Sequence, residues 1–373
     1  MRPRSSFAGA AIEVSDLARS VAFHRRWLPM LGFHRVWAGP DRVMWSRGYD
    51  HFVMRQAKDG ISYGPGALWL AVAAESRAQV DQVFAELREA GAEILQSPKE
   101  LDYFAPGYYS VAFRDPDGVP IEVAHRWDEL PTLADADQVQ VPGHGVTLGG
   151  YFFKPQAGNP PYPALILLHG FAGHAHTMVG LARTCAANGY AALALSLRGW
   201  LGSEGESDQG LRQPLDVLAA IDWLARRPLV DRERIALVGT SMGGQVALLA
   251  AAHKPPIRAV ASYYAAADLA AWYKANPFVR DYLDDLCGPE GLPVRSPILR
   301  AAQIDAPVLL IHGDRDDNVS VGQAHTMAEA LKSHGKEVET VIVPGGTHFF
   351  TEQQNAMARR KLFDFLRRHL NRS

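Results

Sequence analysis

Gly239-Thr240-Ser241-Met242-Gly243 carries the spacing G-x-S-x-G, and its flanks decide how it is read. Residues 234–238 (R-I-A-L-V) have the length and apolar content of a short buried strand, and residues 245–252 (Q-V-A-L-L-A-A-A) begin a helix. A serine on so sharp a strand-to-helix turn is pushed out at the carboxyl end of the strand. The two glycines follow sterically, since side chains there would collide with the neighbouring strand and helix. A pentapeptide alone is a weak signal, so the weight falls on what lies further out along the chain.

Downstream, strand-like and helix-like segments alternate. Strands are expected at residues 164–168, 191–197, 235–238, 257–263, 308–312 and 338–343, and helices at 176–188, 213–226, 242–253, 322–333 and 353–370. Residues 138–141 and 146–154 read as an antiparallel lead-in pair. Alternation of this kind means a doubly wound, mostly parallel sheet covered on both faces.

A serine hydroxyl is a poor nucleophile at neutral pH. It needs a base, and the base needs a carboxylate to fix its tautomer. Residues 311–319 (I-H-G-D-R-D-D-N-V) follow a strand and offer three aspartates, Asp314, Asp316 and Asp317. Residues 344–348 (P-G-G-T-H) follow the next strand and place His348 in a loop, whereas His325 and His334 fall within a helix and His312 ends a strand.

The Gly-Thr-Ser-Met-Gly-Gly run, the His-Gly-Asp-Arg-Asp-Asp-Asn-Val run and the late Gly-Thr-His resemble the α/β-hydrolase superfamily, in particular its dienelactone-hydrolase and prolyl-oligopeptidase-like branches, over residues 138–373. The order Ser, Asp, His is the order used by that fold. The resemblance implies that Ser241 is the nucleophile and His348 the base, and its His-Gly-x-x-Asp pattern selects Asp316 as the orienting acid, leaving Asp314 to order the loop. It also implies that the backbone amides of Phe171, in His169-Gly-Phe-Ala-Gly173, and of Met242 hold the oxyanion. Arg198-Gly-Trp-Leu-Gly-Ser-Glu-Gly205 is similar to a pocket-wall loop of the same branch, with Arg198 bracing it. Between about 265 and 305 the strand and helix rhythm breaks, where family members insert a small cap. Trp200, Trp272, Tyr273, Phe278 and Tyr282 are the candidate pocket residues, and ordinary packing of a helical insert is the competing reading of the last four.

The first third has a different grammar. Asp16 caps a helix whose Leu17, Val21 and Leu28 share a face with His24, which makes His24 a core residue. Strands are expected at 9–14, 32–37, 42–45 and 51–55. A second unit repeats the order: a strand at 68–73, a helix with Val80, Val83, Phe84 and Leu87 at i, i+3, i+4 and i+7, and strands at 92–95, 109–113 and 120–124. Paired βαβββ modules, with Asp16-Leu-Ala-Arg-Ser-Val-Ala-Phe23 and Phe113-Arg-Asp-Pro-Asp-Gly-Val-Pro-Ile-Glu122, resemble the glyoxalase/bleomycin-resistance/extradiol-dioxygenase (vicinal oxygen chelate) superfamily over residues 7–127. Active members hold a divalent metal through His and Glu. Glu122 matches the last-strand ligand, but Gly9 and Ala67 or Leu68 stand where the histidines would be. Glu13 and His51 are the substitutes on offer, and one matched carboxylate falls short of the roughly three protein ligands such a site needs. The expectation is therefore a non-catalytic smaller α+β domain over 1–130 that packs, dimerises or shapes access, a polar linker over 131–137, and a catalytic domain over 138–373.

Composition supports this. The 373 residues are 47% apolar and 21% charged, with net charge −2, which favours two packed domains and gives no electrostatic reason for nucleic acid or an anionic membrane as partner. The apolar runs are too short to span a bilayer. Glu13 and Asp16 interrupt any leader-like start, so Cys185 and Cys287 read as reduced thiols of a cytoplasmic protein. The function expected is cleavage of a small-molecule carboxylic ester with no cofactor. Peptide or amide cleavage, and a bifunctional protein with a metal-dependent lyase or dioxygenase at its N-terminus, are the alternatives.

Overall fold

The computed structural model describes residues 9–47, 50–57, 70–101, 107–126, 130–171 and 173–370. Contacts divide the chain into two compact units, Met1–Trp127 and Asp128–Ser373.

In the first unit β1 (Gly9–Val14), α1 (Leu17–His24), a 3-10 turn at Leu28–Leu31, β2 (His34–Ala38), β3 (Arg42–Arg47) and β4 (Asp50–Gln56) form one module. A second comprises β5 (Leu70–Ala74), α2 (Arg77–Glu89), β6 (Glu93–Glu100), β7 (Tyr109–Arg114) and β8 (Pro120–His125). Both make four-stranded sheets of the same plan, β1-β4-β3-β2 and β5-β8-β7-β6, in which the first strand runs parallel to the last and the rest are antiparallel. The helices start where the sequence supplies caps: Asp16 accepts from the Arg19 amide at 3.0 Å and Ser76 from the Gln79 amide at 3.2 Å. The stripe Val80, Val83 and Leu87 is fully buried and joins Ile12, Val14, Trp27, Phe113, Ile121 and Val123 in one core. His24 lies in that core, ringed by Phe23, Trp27 and Phe52 and 3.4 Å from Asp115. Residues 68 and 69 of the expected fifth strand lie outside the described residues.

The second unit opens with the hairpin β9 (Asp137–Pro142) and β10 (Thr147–Phe153). It continues β11 (Tyr162–Leu168), α3 (Val179–Ala187), β12 (Ala191–Leu195), α4 (Gln213–Ala225), β13 (Val230–Thr240), α5 (Met242–Ala251) and β14 (Ala259–Tyr263). After α6 (Leu269–Ala275) and α7 (Pro277–Leu286) come β15 (Val308–Gly313), α8 (Gly322–Ser333), β16 (Val338–Val343) and α9 (Glu352–Leu370). The eight strands run β16-β15-β14-β13-β11-β12-β10-β9. β10 runs antiparallel to both its neighbours, β9 and β12, and every other pairing is parallel. All five residues of β12, Ala191–Leu195, are buried, because a sheet covered on both sides offers no wet face. One face packs Val217, Ile221, Val246 and Met327 of α4, α5 and α8. The other packs Ala182, Phe363, Phe365 and Leu366 of α3 and α9.

Two stretches differ from the sequence reading. β13 begins at Val230 rather than at 234, because Asp231, Arg232 and Glu233 break the apolar pattern while the backbone already pairs with β11. The stretch read as a linker is packed on the second unit. Just before it Leu130 is buried in that unit's core; within it, Pro131 O accepts from the Tyr151 hydroxyl at 2.5 Å and Asp135 pairs with Arg183 at 2.7 Å.

From β11 the chain winds to β12 on one side and then crosses to β13 on the other. At such a switch point the loops leaving adjacent strand ends diverge, and open α/β sheets bind ligands in the resulting crevice.

Candidate active site

Ser241 stands at that edge, between the last residue of β13 and the first of α5, with φ 50° and ψ −117°. This region is sparsely populated by non-glycine residues, and strain there is characteristic of functional sites. The turn is held by the Ser241 amide donating to Tyr263 O at 2.8 Å and by the Gln245 amide donating to Ser241 O at 3.0 Å. A Cβ on Gly239 would lie 2.2 Å from Gly243 O, and one on Gly243 would lie 2.3 Å from Leu168 O and 2.5 Å from His169 O. Both contacts are with backbone, so both glycines are obligatory. Met242 opens α5, and amides in a helix's first turn have no intrahelical acceptor.

The other two side chains arrive on neighbouring loops. His348 Nε2 is 3.0 Å from Ser241 Oγ, and its Nδ1 is 2.8 Å from Asp316 Oδ2. A carboxylate only accepts, so Nδ1 carries the hydrogen and Nε2 is left to accept from the serine. Asp316 Oδ1 accepts from the amides of Asn318 at 3.0 Å and Val319 at 2.8 Å, while His312 Nε2 approaches Oδ2 at 3.3 Å. Burial alone would raise the Asp316 pKa, but the donors from His312 and His348 outweigh it and hold the carboxyl well below its usual range. Of the three aspartates in the loop, Asp316 is buried and Asp314 and Asp317 are exposed. Asp314 accepts from the Gly345 amide at 2.7 Å. The Arg315 amide donates to Gly346 O at 2.8 Å, and a Cβ on Gly313 would meet Gly346 O at 2.2 Å. The two loops therefore interlock through a main-chain bond, a close glycine contact and the Asp314 carboxylate.

Gly170 and Phe171 follow β11. A Cβ on Gly170 would crowd Ser241 Cβ at 3.2 Å, which places this loop beside the serine. His169 is fully buried. Its Nδ1–H donates to Gly170 O at 2.7 Å, and its Nε2 accepts from the Leu197 amide at 2.9 Å. One nitrogen gives and the other takes, so the ring is neutral, and burial pushes its pKa down to about 4. The Gly173 amide also donates to Gly170 O, at 3.1 Å. With the carbonyl held by two donors, the planar trans peptide turns the Phe171 N–H to the opposite side.

The Phe171 ring is half exposed and sits edge-on between Trp200 (5.1 Å) and Tyr282 (5.3 Å). Trp272 and Tyr273, like Tyr282, pack against the small core of the insert between β14 and β15. The Trp272 indole donates to Asn318 O and the Tyr273 hydroxyl to Asp284, each at 2.7 Å. The side chain of Phe278 lies outside the described residues. Arg198 is a brace: its buried guanidinium grips Asp216 of α4 at 2.6 Å and donates to His144 O at 2.8 Å. Sequence reasoning passed over His312 and Tyr264. The Tyr264 ring lies 4.9 Å from that of His348, and its φ is 38°. The one available signal for His312 was its position four residues before Asp316.

In the first unit Glu122 is nearly buried on β8, and the Tyr108 hydroxyl bonds to it; burial first, and that carboxylate next, hold the phenol above its usual range. Gly9 pairs with His51 across β1 and β4. Ala67 and Leu68 lie outside the described residues. Among the described residues no three His, Cys, Asp or Glu side chains gather as metal ligands. Gly9 and Ala67 or Leu68 carry no donor side chain where the resemblance would place histidines, so those positions with Glu122 do not fit a catalytic metal. Also among the described residues, no helix is long and apolar enough to cross a membrane.

Residues 7–123 match the model of the Glyoxalase/Bleomycin resistance protein/Dioxygenase superfamily, and residues 181–373 that of the prolyl oligopeptidase family. The uncharacterized peptidase YuxL of Bacillus subtilis is 28% identical over 60% of this chain and 36% of its own length. A provisionally named carboxymethylenebutenolidase of Yersinia pestis is 26% identical over 61% of this chain and 84% of its own. Among solved structures, a puromycin-hydrolyzing peptidase of Mycobacterium tuberculosis superposes with TM-score 0.56 at 22% identity, over 71% of this chain and 44% of that one. The chain thus spans about a third of YuxL and less than half of the solved peptidase. Behind an amino-terminal domain of the glyoxalase superfamily, and with the second family model covering just over half of its residues, the chain belongs to the prolyl oligopeptidase family.

Proposed function

We propose that the second unit is a serine hydrolase that cleaves carboxylic esters through an acyl-enzyme. Ser241 Oγ attacks the ester carbonyl while its proton passes to His348 Nε2. Asp316 holds the ring in that tautomer and stabilises its cationic form. The amides of Phe171 and Met242 receive the developing oxyanion, and such donors contribute roughly 3 kcal/mol each in comparable enzymes. Collapse breaks the C–O bond, and the proton on His348 goes to the leaving alkoxide. Water, deprotonated by the same nitrogen, then releases the acid and restores the serine.

The observation that carries this reading is the continuous hydrogen-bonded line from Ser241 Oγ through His348 to Asp316, at 3.0 and 2.8 Å. The rings of Phe171, Trp200 and Tyr282, gathered at the loop in which a Cβ on Gly170 would crowd Ser241, suit an apolar acyl or alcohol group. The ester preference draws support from the Yersinia pestis relative, matched over 84% of its own length, whose name denotes cleavage of a butenolide, a cyclic ester. Peptide-bond cleavage is the second reading, favoured by the family itself and by YuxL.

A panel of p-nitrophenyl esters and dipeptide anilides tests both. Ser241→Ala should lower ester turnover by at least about 10³-fold. A variant keeping a tenth of the wild-type rate rules the nucleophile out, and a higher kcat/KM for the anilides than for the esters overturns the ester assignment.

A further inference from the structure

A second imidazole faces the carboxylate that orients His348. His312 ends β15 and is 1% exposed, with Nε2 2.7 Å from Val319 O and 3.3 Å from Asp316 Oδ2. A carbonyl oxygen only accepts, so Nε2 carries a hydrogen and is a donor toward both oxygens. The Val319 amide in turn donates to Asp316 Oδ1 at 2.8 Å. The turn from Asp316 to Val319 is thus gripped at both ends of one residue, its N–H by the aspartate and its C=O by the histidine.

Each carboxylate oxygen consequently has two N–H groups facing it. Oδ1 has the amides of Asn318 and Val319; Oδ2 has His348 and His312. The last torsion of an aspartate is broad and soft. Take away His312, and Oδ2 keeps only the partner that it is meant to orient, while Val319 loses the anchor on its carbonyl. We infer that His312 is a positioning residue for hydrolysis, holding the Asp316 carboxylate with Oδ2 aimed at His348. This rests on the assignment of Ser241, His348 and Asp316 made above. A histidine needed only to fill space at the end of β15 would have no use for a donor at that atom.

The test uses the full-length protein with His312→Gln, His312→Asn and His312→Leu. The glutamine amide nitrogen reaches the place of Nε2; the asparagine amide stops one bond short; leucine has no donor. With a p-nitrophenyl ester, Asn and Leu should lower kcat by about 10- to 100-fold with KM within about twofold, the scale of a small misplacement of catalytic groups. Gln should stay within about fivefold of wild type. Equal kcat in the Gln and Asn variants, whether both intact or both impaired, overturns the inference, and that pair decides the matter if the Leu variant does not fold. If Ser241→Ala abolishes hydrolysis while the two amide variants are alike, the positioning role falls and the nucleophile stands. If Ser241→Ala stays active, both fall.

Discussion

Replacing Asp316 with asparagine sets a trap that the hydrogen bonds around it define in advance. Oδ1 accepts from two backbone amides, at 3.0 and 2.8 Å, so the amide oxygen must occupy that site. The NH2 group then takes the place of Oδ2, 2.8 Å from His348 Nδ1 and 3.3 Å from His312 Nε2. An NH2 group only donates, so His348 Nδ1 must become the acceptor, and the ring hydrogen moves to Nε2, which faces Ser241 Oγ at 3.0 Å. In that tautomer the histidine cannot take the serine's proton. Flipping the amide relieves His348 but sets the NH2 against the Asn318 and Val319 amides, two donors instead of one. Loss of the correct tautomer in a Ser-His-Asp enzyme costs about 10⁴-fold in kcat, which is about 5 kcal/mol at the barrier. The facing donors cost folding about 1–3 kcal/mol, which most domains of this size tolerate. The assay is steady-state hydrolysis of a p-nitrophenyl ester, with a thermal melt to establish that the variant is folded. A folded Asp316→Asn protein retaining more than a tenth of wild-type kcat would refute the tautomer argument and the role of Asp316 with it.

Two further outcomes follow from packing and burial. In Gly243→Ala the new methyl would lie 2.3 and 2.5 Å from two backbone oxygens at the end of β11; the strand end and the elbow must separate, costing about 1–3 kcal/mol in a urea titration and about 10²-fold in ester turnover, so an unchanged midpoint and rate would contradict the elbow geometry. Burial pushes the pKa of His169 down to about 4 and, with help from His169 and His176, that of His174 to about 3, against about 6.5 when unfolded. The folded state then binds fewer protons below pH 6.5, so stability that is complete above that value is lost as pH falls toward 4, with a slope of up to about 1.4 kcal/mol per pH unit for each group. Urea midpoints between pH 7.5 and 4.5 should show this decline, and it should be shallower in His169→Gln; parallel curves would mean that His169 is not buried in neutral form.

How much of this was legible beforehand depended on whether the signal was local. The G-x-S-x-G turn is decided by sterics within five residues, and its glycines meet the backbone atoms that such a turn brings close. The loops carrying Asp316 and His348 could be nominated because strands alternating with helices deliver every such loop to one edge of the sheet. What the sequence hid was long-range or polar. β13 starts under three charged residues that mask its pairing. Residues 131–137 look like a polar tether, yet the bond from Tyr151 to Pro131 and the pair of Asp135 with Arg183 sew them to the second unit. Aromatic composition alone could not show that Trp200 and Tyr282 flank Phe171, or that Trp272, Tyr273 and Tyr282 pack against the core of the insert. His312 looked like the tail of a strand because nothing in its neighbours' apolarity reports a donor aimed at a carboxylate four residues on.

The loops bearing Asp316 and His348 are registered by peptide groups, by two glycines and by the Asp314 carboxylate, and the Thr347 hydroxyl donates to Phe349 O, while Arg315 and Asp317 beside them are exposed. Spacing and decoration are therefore separable at this edge of the molecule. An engineer could randomise those two exposed positions to graft new substrate contacts without retuning the distance between acid and base, whereas Gly313, Asp314, Gly346 and Thr347 would have to be left out of the library.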